Sequence, residues 1–286
     1  MPELPEVQTV VNHLAAKIKG RIFKSAEIKV PKMVSNNFKS AVLSRKVIGI
    51  KRRGKMIIIE LSGNRYLLVH LKLTGQLIFV DRQGKASGGG HALENGNIDL
   101  TRPNKFTRII LNFKDGGRLL FHDLRKFGWM RIVDKLEVDK VIRQLGVEPL
   151  SKEFTLKKFI EILKKRPKLK IKQFLLNQEL IAGIGNIYAD ESLFASGILP
   201  SRQVKSLKAE EVKKLRQSVI KKLKEAIKFG GTSVNTFVHP SGERGKFMAR
   251  LKVYQRGGQK CLCCGKILKK IRLGGRGTVY CFKCQK

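Results

Sequence analysis

Along the first half of the chain, apolar residues recur in short runs of the length a β-strand needs. Residues 55–61 and 66–71 are two such runs, with Gly63-Asn64 between them as turn material. Two more strands are expected at 108–113 and 118–122, on either side of Asp115-Gly116-Gly117. Residues 7–19 break the pattern: their apolar positions fall at helical spacing, which predicts a helix packed on the sheet. Residues 81–104 contain Gly88-Gly89-Gly90, Asn95-Gly96-Asn97 and Pro103, and read as a long mobile loop. After Pro149 the period becomes helical, with helices expected at 157–165, 171–177, 187–196 and 208–229. The last sets Val212, Leu215, Val219, Leu223 and Ile227 against a lysine-rich side and stops at Gly230-Gly231. Residues 232–248 read as a loop and 251–286 as a small cysteine-bearing module. The order is strand domain, helical domain, cysteine module.

Charge changes this picture of an ordinary globular chain. Sixty Lys+Arg stand against 22 Asp+Glu in 286 residues, a net charge of +38. Such an excess repels itself in a compact fold unless a polyanion offsets it. Nucleic acid is the expected partner, bound through phosphates and so sensitive to salt. Membrane binding is disfavoured: there is no amphipathic anchor and no lipidation signal. No run approaches the roughly 18 apolar residues that span a bilayer. The acidic, proline-bearing start is no signal peptide, so a reducing cytoplasm is expected.

All five cysteines lie after Lys260, which in that compartment points to metal rather than disulfides. Cys261-x-x-Cys264 and Cys281-x-x-Cys284 are two knuckles separated by 16 residues. Two thiolates from each complete a tetrahedral, all-cysteine zinc shell. A closed shell leaves no position for water, so the one expected zinc is structural. Cys263 is the spare. Between the knuckles, a turn such as 274–278 can aim Arg276 at a phosphate, although Arg276 taken alone reads equally as one more solvated charge.

The other chemistry is at the chain start, Met1-Pro2-Glu3. Methionine before a small residue is readily removed, which leaves a secondary amine on Pro2. Free α-amino groups titrate at about 7.7–8.0, so a useful fraction is neutral near pH 7. Such an amine can attack the C1′ of a sugar, displace the base and leave an iminium. Glu3 beside it can act as general acid for ring opening. Many chains begin Met-Pro without any such role, so this reading depends on its context.

The context is a series of motifs in order. Pro2-Glu3-Leu4-Pro5-Glu6-Val7 closely resembles the opening of the formamidopyrimidine-DNA glycosylases. Lys55 in Arg52-Arg53-Gly54-Lys55 resembles that family's hairpin lysine. His70-Leu71-Lys72-Leu73-Thr74-Gly75 is similar to its void-filling loop, and Asp123-Leu124-Arg125-Lys126-Phe127-Gly128 to its Asp-x-Arg-(Arg/Lys)-Phe-Gly loop. Residues 178–191 resemble its helix–two-turn–helix, and the cysteines its zinc finger. The resemblance covers essentially the whole chain. It implies an α+β fold: an N-terminal β-sandwich with flanking helices (1–135), a helix–two-turn–helix domain (150–231), a lesion-capping loop (232–250) and a zinc-finger β-hairpin (251–286). It further implies excision of oxidised purines from double-stranded damaged DNA, followed by β,δ-elimination. Pro2 would be the nucleophile and Glu3 a proton donor; Lys55 would assist β-elimination and Arg276 δ-elimination.

Leu73 would plug the hole left by an extruded base, Arg125 pair with the orphaned partner and Phe127 wedge the stack. Asn186, with Gly183 and Gly185, would hold a phosphate, as would a basic residue near Lys168. The segment 236–248 would close over the flipped 8-oxoguanine. The working form is expected to be a monomer in a bacterial cytoplasm, associated with the nucleoid. Three departures stand out. Leu73 replaces the usual methionine, Phe106 the histidine that often follows the Lys105 position, and Pro167 displaces the basic stretch 164–168. Two other readings compete: an endonuclease VIII-like enzyme for oxidised pyrimidines, and a DNA-binding zinc protein without activity. Leu4, Val7 and the Arg125–Phe127 pair favour the purine enzyme over the first. Pro2, Glu3, Lys55 and Arg276 speak against the second.

Overall fold

The computed structural model describes residues 1–90, 99, 101–232 and 247–286. The chain folds as two compact units, Met1–Arg143 with Phe229–Met248, and Gln144–Lys228 with Ala249–Lys286. The fold is α+β, as expected.

Among the described residues, the first unit holds two antiparallel sheets and three α-helices. Its elements are α1 (Leu4–Ile18), β1 (Phe23–Ile28), α2 (Phe38–Val42), β2 (Val47–Arg53), β3 (Met56–Leu61), β4 (Arg65–His70), β5 (Gly75–Val80), β6 (Ala86–Gly90), β7 (Thr107–Phe113), β8 (Arg118–Asp123), β9 (Trp129–Asp134) and α3 (Lys135–Arg143). One sheet runs β1-β7-β8-β5-β6 and the other β2-β3-β4-β9. The odd residues of β3, Ile57, Ile59 and Leu61, enter the main core with Val7, Val10, Leu14 and Ile18 of α1. Its even residues, Met56 and Ile58, pack with Tyr66, Leu68, Val133 and Val138 beneath α3. A strand buried on both faces therefore reads as a continuous apolar run rather than an alternation.

The glycine run at 88–90 is the main correction. It is not loop but strand: β6 pairs with β5, Gly88 opposite Ile78 and Gly90 opposite Gln76. All three glycines take positive φ. A Cβ on Gly88 would lie 2.2 Å from the Leu77 carbonyl oxygen, and one on Gly90 2.5 Å from Gln76 Cα. Glycine is required there because backbone approaches backbone, with α1 packed against the strand. The His13 imidazole Nδ1 lies 3.1 Å from the Gly88 carbonyl oxygen. Of the rest of the expected loop, residues 81–87, 99 and 101–104 are described, while 91–98 and 100 lie outside the described residues, as do 236–246 of the expected capping segment 236–248.

The second unit contains α4 (Leu156–Lys164), α5 (Ile171–Leu176), α6 (Asn186–Ser196), α7 (Ala209–Lys228), β10 (Lys269–Leu273) and β11 (Arg276–Tyr280). The buried stripe of α7 is Val212, Leu215, Val219, Leu223 and Ala226, and it packs on α6. β10 and β11 form a hairpin with Leu273 opposite Arg276, so Gly274 and Gly275 are a two-residue turn, both at positive φ. None of the described helices is long and apolar enough to cross a membrane.

Candidate active site

In the first unit, Pro2 and Glu3 are buried at the head of α1, Glu3 at 3% exposure. Glu3 is the N-cap and forms a reciprocal capping box with Glu6. One Glu6 oxygen accepts the Glu3 N–H at 2.9 Å, and the other accepts the N–H and hydroxyl of Thr232, each at 2.8 Å. A buried carboxylate with three donors is satisfied and fixes what it binds. Gly231, at φ +82, leaves room for it: a Cβ there would stand 3.0 Å from Glu6 Oε1. Glu6 was not among the expected functional residues. Its signal was the Glu3-x-x-Glu6 spacing ahead of an apolar stripe.

Lys55 is the second residue of the tight β2–β3 turn, after Gly54 at φ +59, and is 8% exposed. Arg52 ties this turn to α1, donating from Nε to Gln8 Oε1 at 3.0 Å and from Nη1 to the Gly54 carbonyl at 2.8 Å. The helix bearing Glu3 and the hairpin bearing Lys55 are thus joined. At the end of β4, burial, then the Lys72 charge, then the Lys55 charge pull the His70 imidazole down to about 3. Neutral His70 accepts the Lys72 N–H at Nδ1, 3.0 Å, which supports Lys72 in the left-handed region at φ +51. Leu73 comes next and is half-buried.

Asp123 locks the Leu73 turn to the loop that carries Arg125 and Phe127. Its Oδ1 accepts the Thr74 hydroxyl and the Arg125 N–H (3.1 Å), and its Oδ2 the Gly128 N–H at 2.7 Å. The Arg125 N–H also reaches Thr74 Oγ1 at 2.9 Å. The Arg125 guanidinium lies 4.8 Å from the Phe127 ring centroid, and Phe127 is 51% exposed on this rigid loop. Phe106 is buried, with Lys105 Nζ 5.1 Å from its ring centroid.

In the second unit, Gln178 staples the two-turn loop. It accepts the Gly183 N–H at 2.9 Å and donates to the carbonyls of Leu176 (2.9 Å) and Ile184 (2.8 Å). Gly183 takes φ +101 and Gly185 caps α6, whose first residue is Asn186. The Asn186 amide donates to the Gly277 carbonyl at 3.0 Å, which brings it to the hairpin strand that starts with exposed Arg276. Beneath lies an ion pair that the sequence reading missed. Lys172, 0% exposed, pairs with Asp190 Oδ1 at 2.7 Å and donates to the Gly277 carbonyl (2.9 Å) and Thr278 Oγ1 (2.8 Å). Burial pushes the Asp190 carboxyl up to about 6, although Lys172 and the Val279 N–H pull the other way. Glu191 accepts the backbone N–H groups of Lys252, Val253 and Tyr254 at 2.9–3.0 Å and so holds that segment to α6. Lys168 is exposed between α4 and α5, and among the described residues it shares no hydrogen bond with Asn186 or Arg276.

The Sγ atoms of Cys261, Cys264, Cys281 and Cys284 all lie within 4.8 Å of one another. The Cys264–Cys281 pair is at 3.4 Å and the Cys261–Cys284 pair at 3.9 Å. Tetrahedral zinc with bonds of about 2.3 Å sets sulfurs roughly 3.8 Å apart, so the donors fit one ion. Cys263 is exposed and outside the cluster. This is a structural zinc site, closed by four thiolates, with Val253, Leu268 and Val279 packed around it.

Known proteins match the chain over nearly its full length. Residues 1–130 match the formamidopyrimidine-DNA glycosylase N-terminal domain, 145–238 that glycosylase's H2TH domain, and 258–286 a zinc finger found in FPG and IleRS. A formamidopyrimidine-DNA glycosylase of Pelotomaculum thermopropionicum is 37% identical over 100% of this chain and 99% of its own, and one of Listeria monocytogenes 35% over 100% of both. Among solved structures, a Lactococcus lactis FPG mutant in complex with Fapy-dG DNA superposes with a TM-score of 0.85 at 34% identity, covering 100% of both chains. The Lactococcus lactis enzyme with abasic-site DNA gives 0.86 at 35%, covering 99% of each. The two-sheet unit and the helical unit match one family, whose members share the zinc-finger type of the C-terminal module, and the chain belongs to the formamidopyrimidine-DNA glycosylases.

Proposed function

We propose that this chain is a bifunctional DNA glycosylase and abasic-site lyase of base-excision repair that removes oxidised purines from duplex DNA. The observation that carries the reading is the buried Pro2-Glu3 start, pinned through Glu6 to the head of α1 and to Thr232. Once Met1 is removed, the Pro2 nitrogen is a secondary amine of which roughly a tenth is neutral at pH 7. It adds to C1′ of the damaged nucleotide, and the base departs with the glycosidic electron pair and takes up a proton. Glu3 gives a proton to the ring oxygen as the sugar opens to an iminium. That cation acidifies C2′; loss of the C2′ proton expels the 3′ phosphate, and loss of a further sugar proton expels the 5′ phosphate. Lys55 assists the first elimination and Arg276 the second.

Leu73 fills the vacated position in the stack, Arg125 pairs with the orphaned base and Phe127 wedges the neighbouring step. Their common anchoring through Asp123 supports a concerted insertion. Asn186 and the 164–168 stretch, Lys168 included, contact phosphates. Cys261, Cys264, Cys281 and Cys284 hold the zinc that stabilises the Arg276 hairpin. The protein works as a monomer in a bacterial cytoplasm, on the nucleoid. A second reading has a specific observation behind it: one similar Lactococcus lactis structure is a complex with DNA containing an oxidised pyrimidine. Single-turnover excision from 8-oxoguanine·cytosine and thymine-glycol duplexes separates the two. Faster release of 8-oxoguanine is expected; faster release of thymine glycol would move the chain to the pyrimidine class.

A further inference from the structure

A pocket of about 290 Å³ in the first unit lies beside the wedge loop, and its walls are pinned from two distant parts of the chain. One wall is the single 3-10 turn Pro31–Met33. Val34 bridges to Met130 of β9, and Ser35 Oγ accepts the Ile132 N–H at 3.2 Å, so this turn lies along β9. Met33 is buried and forms part of the floor, while Lys32 is exposed at the rim. The other wall is the wedge loop, where Lys126 sits at φ +57 and Gly128 is fixed to Asp123. Arg131 completes the rim. Its guanidinium stacks 4.7 Å from the Trp129 ring centroid, which occupies its face and leaves its N–H edge for an oxygen ligand. Three cations thus rim a partly aromatic pocket, and none of the described residues lining it is a carboxylate.

We propose that this pocket is a binding site for a backbone phosphate of the undamaged strand, beside the orphaned base. The inference rests on the role given above to Arg125. Residues 125 and 129 are four Cα–Cα steps of about 3.8 Å apart, so the pocket lies within a nucleotide or two of any base that Arg125 meets. A site with three cationic donors and no carboxylate suits a phosphodiester, and positions the strand without reading its sequence. It would hold the undamaged strand in register while Phe127 enters the stack.

The test is a scan of neutral methylphosphonates, one phosphate at a time in each strand, on a duplex with a tetrahydrofuran abasic analogue. Wild type is expected to lose affinity several-fold at one or two undamaged-strand positions flanking the orphaned base. K32Q/R131Q should lose the same factor on the all-phosphate duplex, show no further loss at those positions, and flatten the salt dependence of log K by about 0.9 per phosphate lost. Both side chains are exposed, so its melting temperature should match wild type. A double variant that binds as wild type, or that couples only to damaged-strand phosphates, would overturn the site. Excision of 8-oxoguanine by wild type is scored separately. Phosphate coupling without excision would contradict the enzymatic reading and leave the site standing; excision without coupling would do the reverse.

Discussion

Leu73 and Arg125 sit on loops whose backbones are locked by one buried carboxylate, Asp123. Extruding a base costs a few kcal/mol per unstacked step, and a rigid plug offsets this only if its own ordering cost is already met. Leu73→Ala is therefore expected to slow excision from duplexes while sparing cleavage of a pre-formed abasic site. Arg125→Ala should narrow the preference for cytosine over adenine opposite 8-oxoguanine by about 1–3 kcal/mol, since the guanidinium fork matches cytosine's acceptors better. Single-turnover rates on the paired substrates check both, and an equal fall on both for Leu73→Ala would remove the plug role. His70 makes a prediction in pH. Its folded value of about 3 lies below the ordinary 6.5, so between these the unfolded chain takes up a proton that the folded chain refuses. Stability should fall as pH drops through this window, by at most about 1.4 kcal/mol per pH unit. His70→Gln keeps an acceptor for the Lys72 N–H and does not titrate, so urea unfolding across the window should show a flatter profile.

At the scale of elements, the Lys172–Asp190 pair holds α5, α6 and β11 together, and with them the strand that begins at Arg276. Removing one partner strands a buried charge, so Lys172→Met should destabilise by about 3–5 kcal/mol. Lys172→Met/Asp190→Leu should recover part of that loss in denaturant unfolding. Zinc acts on the same hairpin: Cys281→Ser should release it and weaken DNA binding, whereas Cys263→Ser should leave the zinc content unchanged, as metal analysis would show. Much of this architecture is legible in the residues. The cysteine knuckles, the helical period of α7 and the apolar run of β3 each follow from local spacing. What escaped depends on distant partners. The glycines of β6 look like loop until β5 and α1 are placed against them. Asp123 becomes a hub through donors that include Thr74, 49 residues away, and Glu6, whose capping-box spacing is local, also reaches Thr232, 226 residues away. Lys172 looks like one more lysine in a lysine-rich chain until its partners, as many as 106 residues away, enclose it.

For the whole molecule, the +38 charge sets conditions more than mechanism. Each phosphate contact releases counterions, so affinity should fall steeply with salt, and low ionic strength is where a covalent intermediate is best captured. The account turns on one atom, the Pro2 nitrogen. The most direct measurement is borohydride reduction during reaction with an 8-oxoguanine·cytosine duplex, followed by digestion and mass mapping of the peptide that carries DNA. The account predicts a reduced adduct on the N-terminal peptide, at Pro2 of a chain lacking Met1, and little adduct with a chain whose Met1 is retained. DNA mapped to Lys55 or another lysine, or excision with no trappable adduct, would contradict it.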